Sequence, residues 1–158
     1  MDMSTEGFLR LYQEGRRDFA GIALPDAAFL SGLFLSRANL VGANLEGANL
    51  KRANLRGSKL IGANLTRAKL FRADLYGANV SEADLSGANL GGANLNLVEL
   101  ARTNLSDAVL RDVDLSGAFL SSSNLSGASL DGANLSGALL SPEALTKATS
   151  LEGATIHD

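Results

Sequence analysis

The chain has 158 residues, of which 46% are hydrophobic and only 5% aromatic, and its formal net charge is −3. This length suits one domain, whose core must consist of small and medium aliphatic side chains. The chain contains no Cys, which excludes disulfides, thiolate catalysis and Cys-ligated metal sites. No apolar run approaches the ~20 residues of a membrane span, and residues 1–19 lack the apolar stretch of a secretory signal. We therefore expect a cytoplasmic protein.

Charge is distributed unevenly along the chain. Residues 1–36 carry three basic and five acidic side chains, residues 37–72 carry eight and one, and residues 73–158 carry three and eleven. These segments have net charges of −2, +7 and −8, which sum to −3. If the fold is linear, the charge changes sign along its axis.

Residues 4–14 predict a short helix. Ser4 or Thr5 can cap its N-terminus, and Gly15 can end it. Its apolar face consists of Phe8, Leu11 and Tyr12. We expect this helix to cover the end of the following region rather than bind a partner, and we assign residues 1–21 to an N-terminal cap.

A five-residue period governs the chain from residue 40 to residue 140. Every fifth residue is Leu, except Val80, and the residue two places earlier is Ala or another small or β-branched residue. A helix would spread these Leu residues around its circumference, and a straight strand would place successive ones on opposite faces. A three-residue strip such as Ala-Asn-Leu, followed by a two-residue corner, directs its first and third side chains to the same side.

Four such units close one coil of twenty residues if each corner turns the chain by about 90°, and coils stack about 4.8 Å apart. The handedness of parallel crossovers predicts a right-handed coil. Gly at a corner supplies the positive φ of a type II turn. We expect another turn type at the corners that lack Gly: Arg52, Arg67, Arg72, Glu82, Leu97, Arg102, Asp107, Asp112 and Ser122.

The predicted fold is therefore all-β, a right-handed quadrilateral parallel β-helix over residues 22–141 with a short helix near each end. The units "ANLVGANLEGANLKRANL" and "ADLYGANVSEADLSGANLGGANL" resemble the pentapeptide repeat family, and the resemblance covers about residues 22–156. It implies the same β-helix. Because that family has many functions, the resemblance implies a shape rather than an activity.

Sixteen residues separate Leu24 from Leu40, so one residue interrupts the period. Either Leu30 and Leu35 continue the core positions, or Phe29 and Phe34 occupy them and the extra residue comes later. We favour Leu30 and Leu35 because the period then runs unbroken into the repeats.

Residues 142–158 predict a second helix and a final coil. Ser141 can cap this helix, with Pro142 in its first position and Glu143 in its first turn. Leu151 and Ile156 are the expected last core residues. The helix either caps the stack or leaves an edge for a second subunit.

The sequence does not suggest a catalytic, metal or cofactor site. Its one His, His157, is next to the last residue, and its Ser residues lie mainly at corners without a neighbouring base. We interpret Asp74, Asp84 and Asp114 as variants of the repeated Asn. We therefore expect a protein that is not an enzyme and that binds neither a cofactor nor a metal.

Two groups of outward residues depart from the repeat. The first, which we call the basic corner, consists of Lys51, Arg52, Lys69, Phe71 and Arg72. We interpret it as a solvated surface, with nucleic acid an unlikely partner. The second, which we call the apolar side, consists of Val41, Ile61, Phe119 and Leu139. We predict that it is a protein interface, with a homodimer as one possibility.

Our leading hypothesis is a non-catalytic binding or scaffold protein with an unknown protein partner. The alternative is a DNA mimic, since the resemblance includes pentapeptide repeat proteins that protect DNA gyrase. Such a mimic would bind gyrase or another DNA-binding protein. The acidic segment 73–158 favours this alternative, and the basic segment 37–72 argues against it.

Overall fold

The computed structural model describes residues 2–25 and 28–157. Its helices are α1 (Thr5–Gln13) and α2 (Pro142–Leu145), and its other regular structure is a series of isolated parallel bridges. The protein is the right-handed quadrilateral β-helix that the five-residue period predicts. Each side of a coil is so short that a single residue per strip pairs with each neighbouring coil.

Two hydrogen bonds per strip join successive coils, and the pairing repeats every twenty residues, as in Asn44 with Asn64 and Asn64 with Asp84. The Leu65 N–H donates to the Asp84 carbonyl at 2.7 Å, and the Asn64 N–H donates to the Ala43 carbonyl at 2.9 Å. Because each strip is bonded both above and below, stability depends on continuous stacking.

The core contains the Leu of every strip, together with the small residue two places earlier. From Leu40 to Leu135, each residue of the Leu column is at most 1% exposed. Three polar residues occupy the buried position two places before the core Leu, and two of them make a side-chain hydrogen bond. The Thr103 hydroxyl donates to the Val80 carbonyl at 2.9 Å, and the Ser123 hydroxyl donates to the Leu100 carbonyl at 2.6 Å. The Ser58 hydroxyl has no hydrogen-bond partner among the residues that the structure describes.

The extra residue of the N-terminal region lies between Ala23 and Phe29. Ala23 pairs with Asn44, twenty-one residues later, whereas Phe29 pairs with Asn49, twenty residues later. The preference for Leu30 and Leu35 is confirmed, since each is 1% exposed while Phe29 and Phe34 point outward. Asp26 and Ala27 lie outside the described residues.

Helix α1 covers the first coil, as predicted. The Ser4 hydroxyl caps it by accepting a hydrogen bond from the Gly7 N–H at 3.1 Å. Phe8 is fully buried against Phe19, with ring centroids 4.5 Å apart, and Tyr12 lies 6.2 Å from both rings. This aromatic cluster closes the N-terminal end of the aliphatic core.

The C-terminal end is less completely covered. Helix α2 replaces one strip and contains no buried residue, and the Ser141 side chain makes no capping hydrogen bond. Pairing then resumes between Ser129 and Ser150. Of the two expected last core residues, Leu151 is partly buried against the core, whereas Ile156 is 49% exposed and does not have the burial of a core residue.

The expectation of a different turn at corners without Gly is wrong. Ten non-Gly corner residues have φ between 54° and 61°, close to the 61° to 74° of the corner glycines from Gly42 to Gly137. At nine of these ten corners, all but Ser122, the N–H of the same residue donates to the next coil, which favours one corner geometry. The Leu97 N–H donates to the Ser116 carbonyl at 3.1 Å, just as the Gly62 N–H donates to the Ser81 carbonyl at 3.0 Å.

Corner strain can be measured at two positions. A Cβ at Gly62, where φ is +63°, would meet no atom within 4 Å. We therefore expect Gly62→Ala to lower the free energy of unfolding by about 1 kcal/mol through backbone strain alone. Conversely, Leu97→Gly should be more stable than Leu97→Ala by about 1 kcal/mol in urea denaturation. Equal stabilities of the two Leu97 variants would contradict this explanation.

The Asp131 side chain makes hydrogen bonds that connect the final coil to the preceding one. Its carboxylate accepts hydrogen bonds from the Ser150 hydroxyl and, at 3.2 Å, from the Glu152 N–H, and it lies 3.2 Å from the Arg111 guanidinium. The Ser150 hydrogen bond is the largest influence and lowers the pKa of Asp131 below its ordinary 3.8; desolvation opposes it, and Glu152 and Arg111 reinforce it.

A lowered native pKa stabilises the fold only while the carboxylate is ionised. This contribution is therefore complete above the ordinary pKa of 3.8 and is lost as the pH falls through the native pKa. We expect Asp131→Asn to be less stable than wild type at pH 7, and the difference to shrink below pH 3.8. Urea denaturation of both proteins across this range checks it, and a difference independent of pH would exclude a role for the charge.

Candidate interaction surfaces

The repeated Asn of each strip points outward and closes the following corner. The Asn64 Oδ1 accepts a hydrogen bond from the Thr66 N–H at 3.0 Å, while its Nδ2 donates to the Asn44 Oδ1, also at 3.0 Å. Asp74, Asp84 and Asp114 accept the same corner hydrogen bond, from the N–H groups of Tyr76, Ser86 and Ser116. Asn and Asp at this position therefore have a structural role.

Departures from Asn or Asp are concentrated on two opposite faces. Between residues 29 and 139 the outward strip residues that depart are Phe29, Phe34, Lys59, Lys69, Glu99, Val109, Phe119, Ser129 and Leu139. Apart from Phe34, all of them lie in the two columns that begin at Phe29 and at Asn39. These two faces are where the protein can present surfaces that the fold itself does not require.

The apolar side consists of two separate pairs. Phe119 and Leu139, 43% and 57% exposed, are paired on adjacent coils. Leu139 also lines a groove at the C-terminal end with Ile156. Val41 and Ile61 lie on stacked corners beside the same face and are only half-buried. Two polar positions, Asn79 and Glu99, separate the pairs on this face, which places them about 14 Å apart.

The structure brings the five residues of the basic corner together on adjacent coils. The Arg52 N–H donates to the Phe71 carbonyl at 3.0 Å, which stacks the Lys51–Arg52 corner on the Phe71–Arg72 corner. The Arg72 guanidinium lies 5.2 Å from the centroid of the Phe71 ring. A Cβ on Gly91 would lie 3.3 Å from the Phe71 ring, so this glycine leaves the space that the ring occupies.

The cations of the basic corner differ from most others in the repeats. Four arginines elsewhere are ion-paired with carboxylates: Arg56 with Asp74 at 3.0 Å, Arg67 with Glu46, Arg102 with Glu82, and Arg111 with Asp131 at 3.2 Å. Within the described ranges, the four cations of the basic corner have no such pair. Among the other described cations, Arg37 and Lys59 in the repeats and Arg10, Arg16, Arg17 and Lys147 outside them also lack one.

Sequence reasoning missed Phe29 and Phe34 as surface residues. They are 69% and 74% exposed, the highest values among the large hydrophobic residues described. Both flank the Ser31–Gly32 corner, which stacks directly below Lys51 through a 2.8 Å hydrogen bond from the Gly32 N–H. The sequence contained the signal for this exposure: if Leu30 and Leu35 are core residues, Phe29 and Phe34 occupy the outward position of their strips.

Membrane and metal sites are the other kinds of site to consider in residues 2–25 and 28–157. No helix there has both the length and the apolar character that crossing a membrane requires. The same residues contain no group of three His, Asp or Glu side chains arranged to hold a metal ion.

The family of this chain follows from a match of its sequence to a family model. The Pentapeptide repeats family model matches residues 26–57, 48–87, 73–117 and 103–141. This chain belongs to the pentapeptide repeat family. No curated protein sequence matches it.

Several solved structures are similar to this pentapeptide repeat protein. Trypsin-treated QnrB1, a plasmid-mediated fluoroquinolone resistance protein, is 21% identical, with 89% of this chain and 83% of that chain covered and a TM-score of 0.56. A pentapeptide repeat protein from the thylakoid lumen of Arabidopsis thaliana is 33% identical, with 75% and 69% covered and a TM-score of 0.28. Rfr23 from the cyanobacterium Cyanothece 51142 is 24% identical, with 98% and 99% covered and a TM-score of 0.29. The QnrB1 likeness supports the fold alone.

Proposed function

We propose that this protein is a non-catalytic binding protein, a rigid solenoid whose outward columns contact a protein partner. The observation that carries the proposal is the exposed pair Phe119 and Leu139, in a column that is otherwise polar. The inward positions are occupied by packed Leu and Ala, so specific recognition has to use the outward positions. A cytoplasmic location stays a prediction from the sequence.

The apolar pair has the properties of an interface centre. Phe119 and Leu139 are adjacent in space, and the groove beside Leu139 is lined by Leu140, Pro142, Leu145 and Ile156. Contiguous exposed apolar surface of this kind is uncommon on monomers unless it is functional. The fold keeps it rigid, because the backbone of both strips is hydrogen-bonded into the stack: the Leu120 N–H donates to the Leu139 carbonyl at 2.8 Å. Little conformational entropy would therefore be lost on binding.

A second copy of this chain is the partner to test first. Light scattering of the wild type should give a mass above the 16.4 kDa of one chain, rising with concentration. Phe119→Ser/Leu139→Ser should stay at the monomer mass, because the variant removes the apolar pair. Val109→Ser is a matched control, since Val109 is 36% exposed on the opposite face. A wild type that stays monomeric at every concentration would contradict self-association through this side.

DNA mimicry is the second candidate function. Segment 73–158, at −8, favours it, and QnrB1 shares the fold. Against it, Glu82 and Asp131 are neutralised by Arg102 and Arg111, and the basic corner occupies the other half of the rod. A mimic must present a continuous acidic surface to a DNA-binding protein.

A supercoiling assay with DNA gyrase separates the two functions. We expect no inhibition of supercoiling, and no protection from a quinolone, when the protein is added at micromolar concentrations. Inhibition that disappears when Asp112 and Glu99 are changed to Asn and Gln would establish the mimic and contradict a function carried by the apolar side.

A further inference from the structure

Phe29 and Phe34 enlarge the basic corner into a surface of distinct chemistry. We call the combined set the basic–aromatic surface: Phe29, Phe34, Lys51, Arg52, Lys69, Phe71 and Arg72. It spans three successive coils, a rise of about 10 Å along the axis. It is separate from the apolar side, so a ligand bound to it would act in addition to the protein partner proposed above.

The charge of this surface is concentrated and uncompensated. Lys51, Arg52, Lys69 and Arg72 are all exposed, and among the described residues none of them has an ion pair. The nearest carboxylate column begins at Asp74, which Arg56 neutralises at 3.0 Å. Four like charges within two coils repel one another in the free protein, so an anionic ligand would be favoured at this surface.

The aromatic rings of the basic–aromatic surface determine a second property that its ligand must have. Phe29 and Phe34 lie on the two faces that meet at this corner, mostly in water, and Phe71 lies between the cations with 37% of its surface exposed. Each ring offers a flat apolar face, and the Phe71 ring lies 5.2 Å from the Arg72 guanidinium. A ligand that satisfies both features must carry regularly spaced negative charges and flat rings.

We propose that the basic–aromatic surface binds single-stranded nucleic acid. Phosphates would contact Lys51, Arg52, Lys69 and Arg72, and unpaired bases would stack on Phe29 and Phe34. This combination of a positive track and stacking rings is how proteins bind single strands without sequence preference. The sequence disfavours nucleic acid as a partner because the basic corner alone is small and the whole chain is acidic, with a net charge of −3. Phe29 and Phe34 enlarge that small cluster.

Other anionic ligands fit the surface less well. Duplex DNA keeps its bases paired, so the rings of Phe29 and Phe34 would have nothing to stack on. An acidic peptide could not extend the sheet at this corner, because the N–H groups of Gly32, Arg52 and Arg72 already donate to the next coil. Farther along the same corner, Arg111 is paired with Asp131, while Asp112 has no ion pair among the described residues and repels phosphates. The strand must therefore also be short.

Fluorescence anisotropy tests the proposal with the full chain and a labelled oligothymidine of about fifteen nucleotides, at about 50 mM salt. We expect saturable binding that weakens with salt, with a slope of log affinity against log salt of about −3, because four contacts each contribute about −0.7. The matching duplex, polyglutamate and vesicles with anionic headgroups serve as alternative ligands and should bind at least about tenfold more weakly.

Variants separate stacking from charge. Phe29→Ser/Phe34→Ser should weaken oligothymidine binding at least about tenfold without changing the salt slope. Lys51→Ser/Arg52→Ser should reduce the magnitude of the slope by about 1.4. Matched controls are Leu97→Ser, which removes a 45% exposed apolar side chain outside both surfaces, and Lys59→Ser, which removes an unpaired cation elsewhere; both should bind like wild type.

Three results would overturn the proposal. One is the absence of saturable binding to oligothymidine by a wild type with a cooperative unfolding transition. Another is binding of the duplex, polyglutamate or vesicles as tight as that of oligothymidine. The third is an unchanged affinity of Phe29→Ser/Phe34→Ser. All substituted positions point outward, so we expect each variant to retain the wild-type unfolding midpoint, and circular dichroism checks this.

Discussion

The hydrogen bond from the corner N–H to the next coil, present at every described corner from Gly21 to Gly137 except Ser122, is the constraint on which the rest of this protein depends. The bond from Gly62 to Ser81 at 3.0 Å is repeated from Leu97 to Ser116 at 3.1 Å, although Gly and Leu differ greatly in their tolerance of positive φ. Because this bond favours one geometry, corners with and without Gly share the same left-handed φ. Among the described corners, Ser122 keeps this φ without the bond, through the turn hydrogen bond from the Ser123 N–H to the Leu120 carbonyl at 3.0 Å. Identical corners keep the period at five, and a constant period keeps each Leu above the one twenty residues earlier.

This constraint also decides where function can reside. Inward positions of the repeats are aliphatic apart from Ser58, Thr103 and Ser123, and outward Asn or Asp at positions such as Asn64 and Asp84 accepts the corner hydrogen bond. Variation is therefore left to outward positions that can lose that hydrogen bond and to the two residues of each corner, the second of which is not Gly at ten corners. The apolar pair Phe119 and Leu139 and the basic–aromatic surface are both made of such positions, and the continuous stack holds each of them rigid.

The sequence predicted much of the architecture because the period is a property of single residues. The Leu column, the capping helix and the core role of Leu30 and Leu35 follow from spacing and side-chain type. The predicted turn type at corners without Gly was wrong. Local preference disfavours positive φ at Leu97 or Arg72, but the hydrogen bond to the next coil overrides that preference. A local stretch of sequence does not show this bond. The sequence left two alternatives for Phe29, buried or exposed, because its orientation depends on where the extra residue between Leu24 and Leu40 lies. Ion pairs such as that of Arg56 with Asp74 could not be predicted, because they depend on the side-chain conformations of residues on neighbouring coils.

The central claim, that the coil repeats every twenty residues through identical corners, is tested most directly by two internal deletions. Removing residues 76–95 takes out one coil and leaves the Leu column, the corners and both ends in phase. Removing residues 76–93 deletes fewer residues but shifts the later repeats by two positions. Circular dichroism with urea should show a cooperative transition for the first deletion and none for the second. Equal cooperative transitions for both deletions would contradict the account.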